Sequence, residues 1–261
     1  MTVPPDVRPA GENVPAGVRL ELDGAIATVT LDRPEVLNAQ TPAMWARLSE
    51  IDAALTGDVR VVVLRGEGRS FSAGLDLASA QEQLGALAVI PPDQAEDRIA
   101  GFQRAFSWLR RPDLITIAAV HGHAIGAGFQ LALACDLRVM ADTATFKMAE
   151  ITLGLVPDLT GTKRLVELVG YARALEICAT GRSIRAEEAE RIGLAAVVVP
   201  AEELDAAARD LAAALLAGPR NAVIEIKALL LGASGRTYAE QELAERQAQV
   251  RRIRDLAGLG E

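Results

Sequence analysis

Two carboxylates on one short segment, Glu150 and Asp158, are the side chains best suited to proton chemistry in this chain. Glu150 stands alone at the end of an apolar stretch, where burying a carboxylate is costly unless it has a task. Asp158 follows Pro157 and precedes LTGTKRLVELV, so it reads equally well as a helix N-cap or as a reacting group. Upstream, Gly122, Gly126 and Gly128 follow an apolar run and open a helix. Free N–H groups at such a turn favour developing negative charge, and close helix–strand packing is the competing reading. The glycine spacing is not GxGxxG, and no Walker phosphate loop is present. A second loop, RSFSAGLD at residues 69–76, follows another apolar run. Ser72 occupies the position where a GxSxG elbow needs its second glycine, which excludes a nucleophilic-serine turn. Small residues at a strand end can instead present backbone N–H donors.

The remaining chemistry-bearing residues have blander readings. Cys135 and Cys178 are the only cysteines; they form no CxxC pair and sit in apolar surroundings, as expected for buried inert thiols. His121 and His123 lack carboxylates at ligand spacing, which argues against zinc and for structural hydrogen bonding. Asp136 is expected to hold a turn. Lys and Arg total 27 against 35 Asp and Glu, a net charge of -8, which disfavours duplex nucleic acid and anionic membranes as partners. No secretory leader or bilayer-length apolar run is evident, so a cytoplasmic protein without a membrane partner is the expectation.

These groups need a scaffold. Half of the residues are hydrophobic but only 3% are aromatic, so the core must be built from Ala, Val, Leu and Ile in close helix–sheet layers. Residues 1–16 carry four prolines and read as a disordered leader. Strands at 19–22 and 25–31 flank Asp23-Gly24, a hairpin signal. Thr41-Pro42 reads as the start of a helix reaching about residue 55. Apolar runs at 59–64 and 114–120 read as buried strands. Helices are expected at 93–110 and 126–134, and short strands at 137–140 and 145–148, while 77–90 is ambiguous. After Asp158 the chain turns helical, with one strand at 195–199. The pattern is an α/β core over 17–200 followed by a helical region at 201–261.

Taken together, SFSAGLD, HGHAIGAGFQLALACDLRVMADTATF, AEITLGLVPDLTGTKRL and LDRPEVLNA resemble the enoyl-CoA hydratase/isomerase (crotonase) family over about residues 18–235. The resemblance implies a spiral of ββα units, a helical C-terminal oligomerisation region, and a homotrimer or dimer of trimers. It implies an acyl-CoA substrate and no cofactor, coenzyme A being part of the substrate, and no metal. It places two oxyanion-hole donors on the N–H groups of Leu75 and Ala127, the latter at a position usually occupied by glycine. Ser72, Ala73, Gly74, Asp76, Gly126, Gly128 and Gln130 are expected to line the substrate site, and Arg33, Arg69 and Lys163 could meet CoA phosphates. The family's hydratases use two glutamates; the first falls on Gln130, whose amide cannot exchange a proton near neutral pH. The second falls on Glu150. Dienoyl-CoA isomerases of the family carry a Glu and an Asp at the positions of Glu150 and Asp158. The expectation is therefore double-bond isomerisation by a Glu150/Asp158 proton shuttle. The alternatives are hydration by Glu150, thioester hydrolysis of a hydroxyacyl-CoA, and a catalytically weak acyl-CoA-binding protein.

Overall fold

The structure is a computed structural model, and it describes residues 15–55 and 57–259. The leader expected over 1–16 lies outside them, apart from Pro15 and Ala16 in a turn that leads into the first strand.

In chain order the elements are β1 (Val18–Asp23), β2 (Ile26–Leu31), α1 (Pro42–Ala54), β3 (Val61–Gly66), α2 (Leu77–Ala88), α3 (Pro92–Ser107), β4 (Ile115–Val120), β5 (His123–Ile125), α4 (Ala127–Ala134), β6 (Leu137–Ala141) and β7 (Thr145–Lys147). Then come α5 (Gly161–Val169), α6 (Tyr171–Thr180), β8 (Ser183–Arg185), α7 (Ala186–Arg191), β9 (Val197–Val199), α8 (Leu204–Leu216), α9 (Arg220–Ala233) and α10 (Tyr238–Leu256).

A six-stranded sheet runs β1-β2-β3-β4-β6-β9, antiparallel at β1/β2 and parallel elsewhere. A second sheet runs β5-β7-β8. The chain therefore lays one strand in the large sheet, turns, lays a short strand in the small sheet, and enters a helix. β4-β5-α4 follows this course, as does β6-β7 leading to α5. The segment after β3 does the same with a single bridge, Ser72 to Ala124. This repeated ββα turn is the crotonase-type spiral. β5 and β8 were not evident in the sequence: three residues give no periodicity, and the outer positions of β8 are exposed.

The β1/β2 turn consists of Gly24 and Ala25 rather than Asp23 and Gly24, because Asp23 pairs with Ile26. Gly24 supplies the positive φ (+54°) that a two-residue hairpin needs at its first position. Thr41 caps α1 by accepting from the Met44 N–H, with Pro42 just inside. The ambiguous stretch at 77–90 is a helix capped by Asp76. Core packing matches the composition, being dense in Val, Leu and Ala, with Trp45 of α1 meeting Phe102 and Phe106 of α3 at ring distances of 4.9 and 6.0 Å. Buried Lys227 anchors α9 to the core by donating to the Leu114 carbonyl (2.6 Å) and to Asp136 (2.7 Å). Asp136 also accepts from the N–H and hydroxyl of Thr116, so it is structural, as expected.

Candidate active site

α4 carries the first part of the site. All eight of its residues are buried, and its N-cap is Gly126, which has no side chain to satisfy the first helical N–H groups. Gly126 gives its own N–H to the Lys147 carbonyl (2.8 Å), and the N–H of Ala127 has no acceptor among the described residues. The positive φ at this turn falls on Gly126 (+50°) and not on Ala127, so an alanine side chain is accommodated at 127.

The loop at 72–76 carries the second part. It is clamped on one side by residues 37–40, through Ala73 N–H to the Leu37 carbonyl (2.8 Å), Gln40 N–H to the Gly74 carbonyl (2.6 Å) and Asp76 N–H to the Gln40 carbonyl (2.8 Å). That parallel bridge leaves the N–H of Leu75 pointing away from residue 40, also without an acceptor among the described residues. On the other side the loop meets β5 and α4. Ser72 N–H donates to the His123 carbonyl (2.8 Å), and Ile125 N–H to the Ser72 carbonyl (3.0 Å). Only glycine allows this approach. A methyl on Gly74 (φ +93°) would sit 2.5 Å from the Ile125 carbonyl oxygen and 3.7 Å from Ala127 N, and one on Gly128 would sit 2.6 Å from the Ser72 oxygen. The two free donors thus belong to segments pressed together at Gly74 and Gly128.

The third part is Glu150, in the helical turn after β7. Its carboxylate lies beside Gly126, whose added methyl would be 3.3 Å from Oε1. Oε1 accepts from Gln130 Nε2 at 2.7 Å, while Oε2 is buried with no partner. Burial pushes the Glu150 pKa up; the Gln130 hydrogen bond opposes this and the Asp158 charge adds to it. Asp158 lies in the turn before α5. It does not cap that helix: the cap position is Thr160, and no side chain caps it. Of the two readings of Asp158, the structure removes the capping one. The residue is exposed overall, yet desolvation of its carboxyl raises the pKa. Gln103 of α3 holds its backbone carbonyl at 2.7 Å.

Other residues named from the sequence prove to be scaffold. The Ser72 hydroxyl is buried and bonded to the Asn38 carbonyl, Gln40 Nε2 and Gly74 N–H, so it holds the loop and does not face an open cleft. Asp76 caps α2 and pairs with Arg33 at 3.2 Å; its pKa is lowered, first by the Ser79 N–H. Gln130 is buried, and its amide is engaged by Glu150, the Leu159 N–H (2.8 Å) and the Gly161 N–H (3.3 Å), so it does not line the site with a free amide. His121 and His123 bond the Gly68 carbonyl and the Thr145 hydroxyl. Lys163 pairs with Glu167. Cys135 is buried with its pKa pushed up to about 12, whereas Cys178 is only partly buried and feels the Glu150 charge. Sequence reasoning did not find the converging Leu159 and Gly161 N–H groups or the positive φ of Thr160 (+71°) between them; nothing in DLTGT announces either. Among the described residues no cluster could hold a metal ion, and no helix is long and apolar enough to cross a membrane.

Stacked ββα turns thus bring two backbone donors without acceptors among the described residues to the same region as a glutamate with a buried, unpartnered oxygen, an arrangement suited to stabilising negative charge on an oxygen next to a proton acceptor. The chain belongs to the enoyl-CoA hydratase/isomerase family, whose model matches residues 21–256. It is 37% identical over 210 residues to a "Probable enoyl-CoA hydratase" of Rhodobacter capsulatus, covering 80% of this chain and 79% of that one. It is 35% identical over 197 residues to "Probable enoyl-CoA hydratase echA8" of Mycobacterium bovis, covering 74% and 72%. Among solved structures, it superimposes at a TM-score of 0.88 and 48% identity on "a putative enoyl-CoA hydratase from Thermobifida fusca YX in complex with acetoacetyl-CoA", covering 92% of this chain and 96% of that one. The protein is therefore an acyl-CoA enzyme of this family.

Proposed function

We propose that the enzyme isomerises a double bond of an enoyl- or dienoyl-CoA by a proton shuttle between Glu150 and Asp158. The thioester oxygen accepts from the N–H groups of Leu75 and Ala127. Charge moves onto that oxygen as the substrate becomes an enolate, so donors already in place stabilise the transition state more than the ground state; one such donor is worth ~3 kcal/mol. One carboxylate takes a proton from the acyl chain, the electron pair delocalises onto the thioester oxygen, and the other carboxyl returns a proton further along. The observation carrying this reading is the unpartnered, buried Oε2 of Glu150, whose carboxylate lies against Gly126, the residue before the free Ala127 donor, and feels the charge of Asp158. The acetoacetyl-CoA held by the Thermobifida relative supports a CoA thioester as ligand. No cofactor beyond the substrate's own CoA is needed.

Hydration is the second reading, favoured by the hydratase names of the relatives. It would rest on Glu150 alone, since Gln130 holds no exchangeable acid. Assays with crotonyl-CoA, a 3,5-dienoyl-CoA and a hydroxyacyl-CoA, following double-bond absorbance and free thiol, separate the readings. Turnover of the dienoyl substrate supports the shuttle, and loss of crotonyl absorbance without thiol release supports hydration. Thiol release would indicate thioester hydrolysis, and binding without turnover a catalytically weak acyl-CoA-binding member.

Assembly as a homotrimer or dimer of trimers is part of the same proposal. It is supported by the apolar side chains that α9 and α10 leave exposed, among them Leu230, Leu243, Val250 and Leu256.

A further inference from the structure

Gln130 occupies an unusual electrostatic position. Its amide oxygen receives two backbone N–H groups, from Leu159 at 2.8 Å and Gly161 at 3.3 Å, and these converge because Thr160 between them adopts φ +71°. Two such amides around a left-handed residue form a concave donor pair that accepts an oxygen and rejects an NH2 group. The amide therefore cannot turn over: the flipped form would set its two N–H donors against two backbone donors. Its nitrogen is left facing Glu150 Oε1 at 2.7 Å, and Gly161 closes the space behind it, since an added methyl there would lie 2.8 Å from Gln130 Cγ.

From this geometry we infer that Gln130 is a positioning residue that fixes Glu150 as a one-oxygen base. By donating permanently to Oε1 it confines proton exchange to Oε2, and by gripping the 159–161 turn it holds Asp158 at a set distance from that oxygen. The inference deepens the Glu150/Asp158 reading and rests on it for its catalytic consequence. Its structural core, a one-way donor to Oε1, does not. The titratable groups facing Glu150 are Asp158 in the turn before α5 and the Cys178 thiol on α6.

The test is the titration of Glu150, followed by 13C NMR of carboxyl-labelled glutamate in the full-length protein without substrate and assigned with Glu150→Gln. Gln130→Glu retains an acceptor for the Leu159 and Gly161 N–H groups but replaces the donor with a second carboxyl oxygen at hydrogen-bond distance from Oε1. The two carboxyls should then share a proton, with its loss raised by ~1 pH unit or more relative to Glu150 in the wild type. An unchanged Glu150 titration in this variant would mean that the side chain at 130 does not present a fixed group to Oε1, and that result would overturn the inference. Gly161→Ala is the second variant. It alters no polar group but displaces the amide, and it should also move the Glu150 titration upward; an unmoved titration counts against the inference. Because this readout needs no turnover, an inactive enzyme with the expected shifts would defeat the isomerase reading alone.

Discussion

Gln130 and Glu150, 20 positions apart in sequence, meet at 2.7 Å, and this contact leaves one carboxylate oxygen satisfied and the other buried without a partner. A carboxylate in that state is under-solvated, which is why its pKa rises, and it is ready to take a proton from any carbon acid brought against it. The following outcomes are expected from this arrangement.

Glu150→Gln removes the proton acceptor but keeps the acceptor oxygen that Gln130 needs. Turnover should fall by ~10²–10⁴-fold, the range of general acid–base contributions, with CoA affinity retained by calorimetry.

The same substitution should change stability in a pH-dependent way. A carboxyl whose folded pKa is raised contributes most below its unfolded value, near 4.5, and that contribution is lost as pH rises through the folded value. Glu150→Gln should therefore be more stable than wild type at pH 7–8, with the gain fading as pH falls toward the ordinary carboxylate range. Urea denaturation across pH checks the sign.

Asp158→Ala should lower turnover by ~10²-fold or more while shifting stability by only about 0.5 kcal/mol or less. A helix-capping aspartate would instead cost ~1 kcal/mol, but α5 takes no cap from Asp158. Paired kinetics and thermal melts separate the two roles.

Gly74→Ala places a methyl against the Ile125 carbonyl and imposes φ +93° on a residue with a side chain. The loop must shift, moving the Leu75 N–H. A loss of ~10²-fold in kcat/KM and ~1–3 kcal/mol in stability is expected, measured by kinetics and urea denaturation.

Lys227→Met leaves the Asp136 carboxylate without its buried cation. Breaking such a pair typically costs ~3–5 kcal/mol, and the loss should appear in chemical denaturation with little change in KM.

Much of this architecture was legible in the sequence because local physics fixes it. The apolar runs of β3 and β4 could only be buried strands, Thr41-Pro42 could only open a helix, and the glycines at 122–128 marked a strand-to-helix turn. The glutamate at 150 stood out because nothing nearby could satisfy it. What stayed hidden was non-local. Whether Asp158 capped a helix depended on where α5 began, and the left-handed Thr160 moved that start beyond it. Ser72 and Asp76 looked available as ligand contacts until Asn38, Gln40 and Arg33, 30 to 40 or more positions away, were seen to occupy them. Of the small sheet, β7 was expected, but β5 and β8 are too short to leave a period.

The central claim is that two backbone amides polarise a CoA thioester carbonyl, and isotope-edited infrared spectroscopy of bound acyl-CoA carrying a 13C-labelled thioester carbonyl reads that polarisation directly. The carbonyl stretch is expected to fall to lower frequency on binding and to return toward its solution value in Gly74→Ala. A fully bound thioester whose carbonyl vibrates as it does in water would contradict the account.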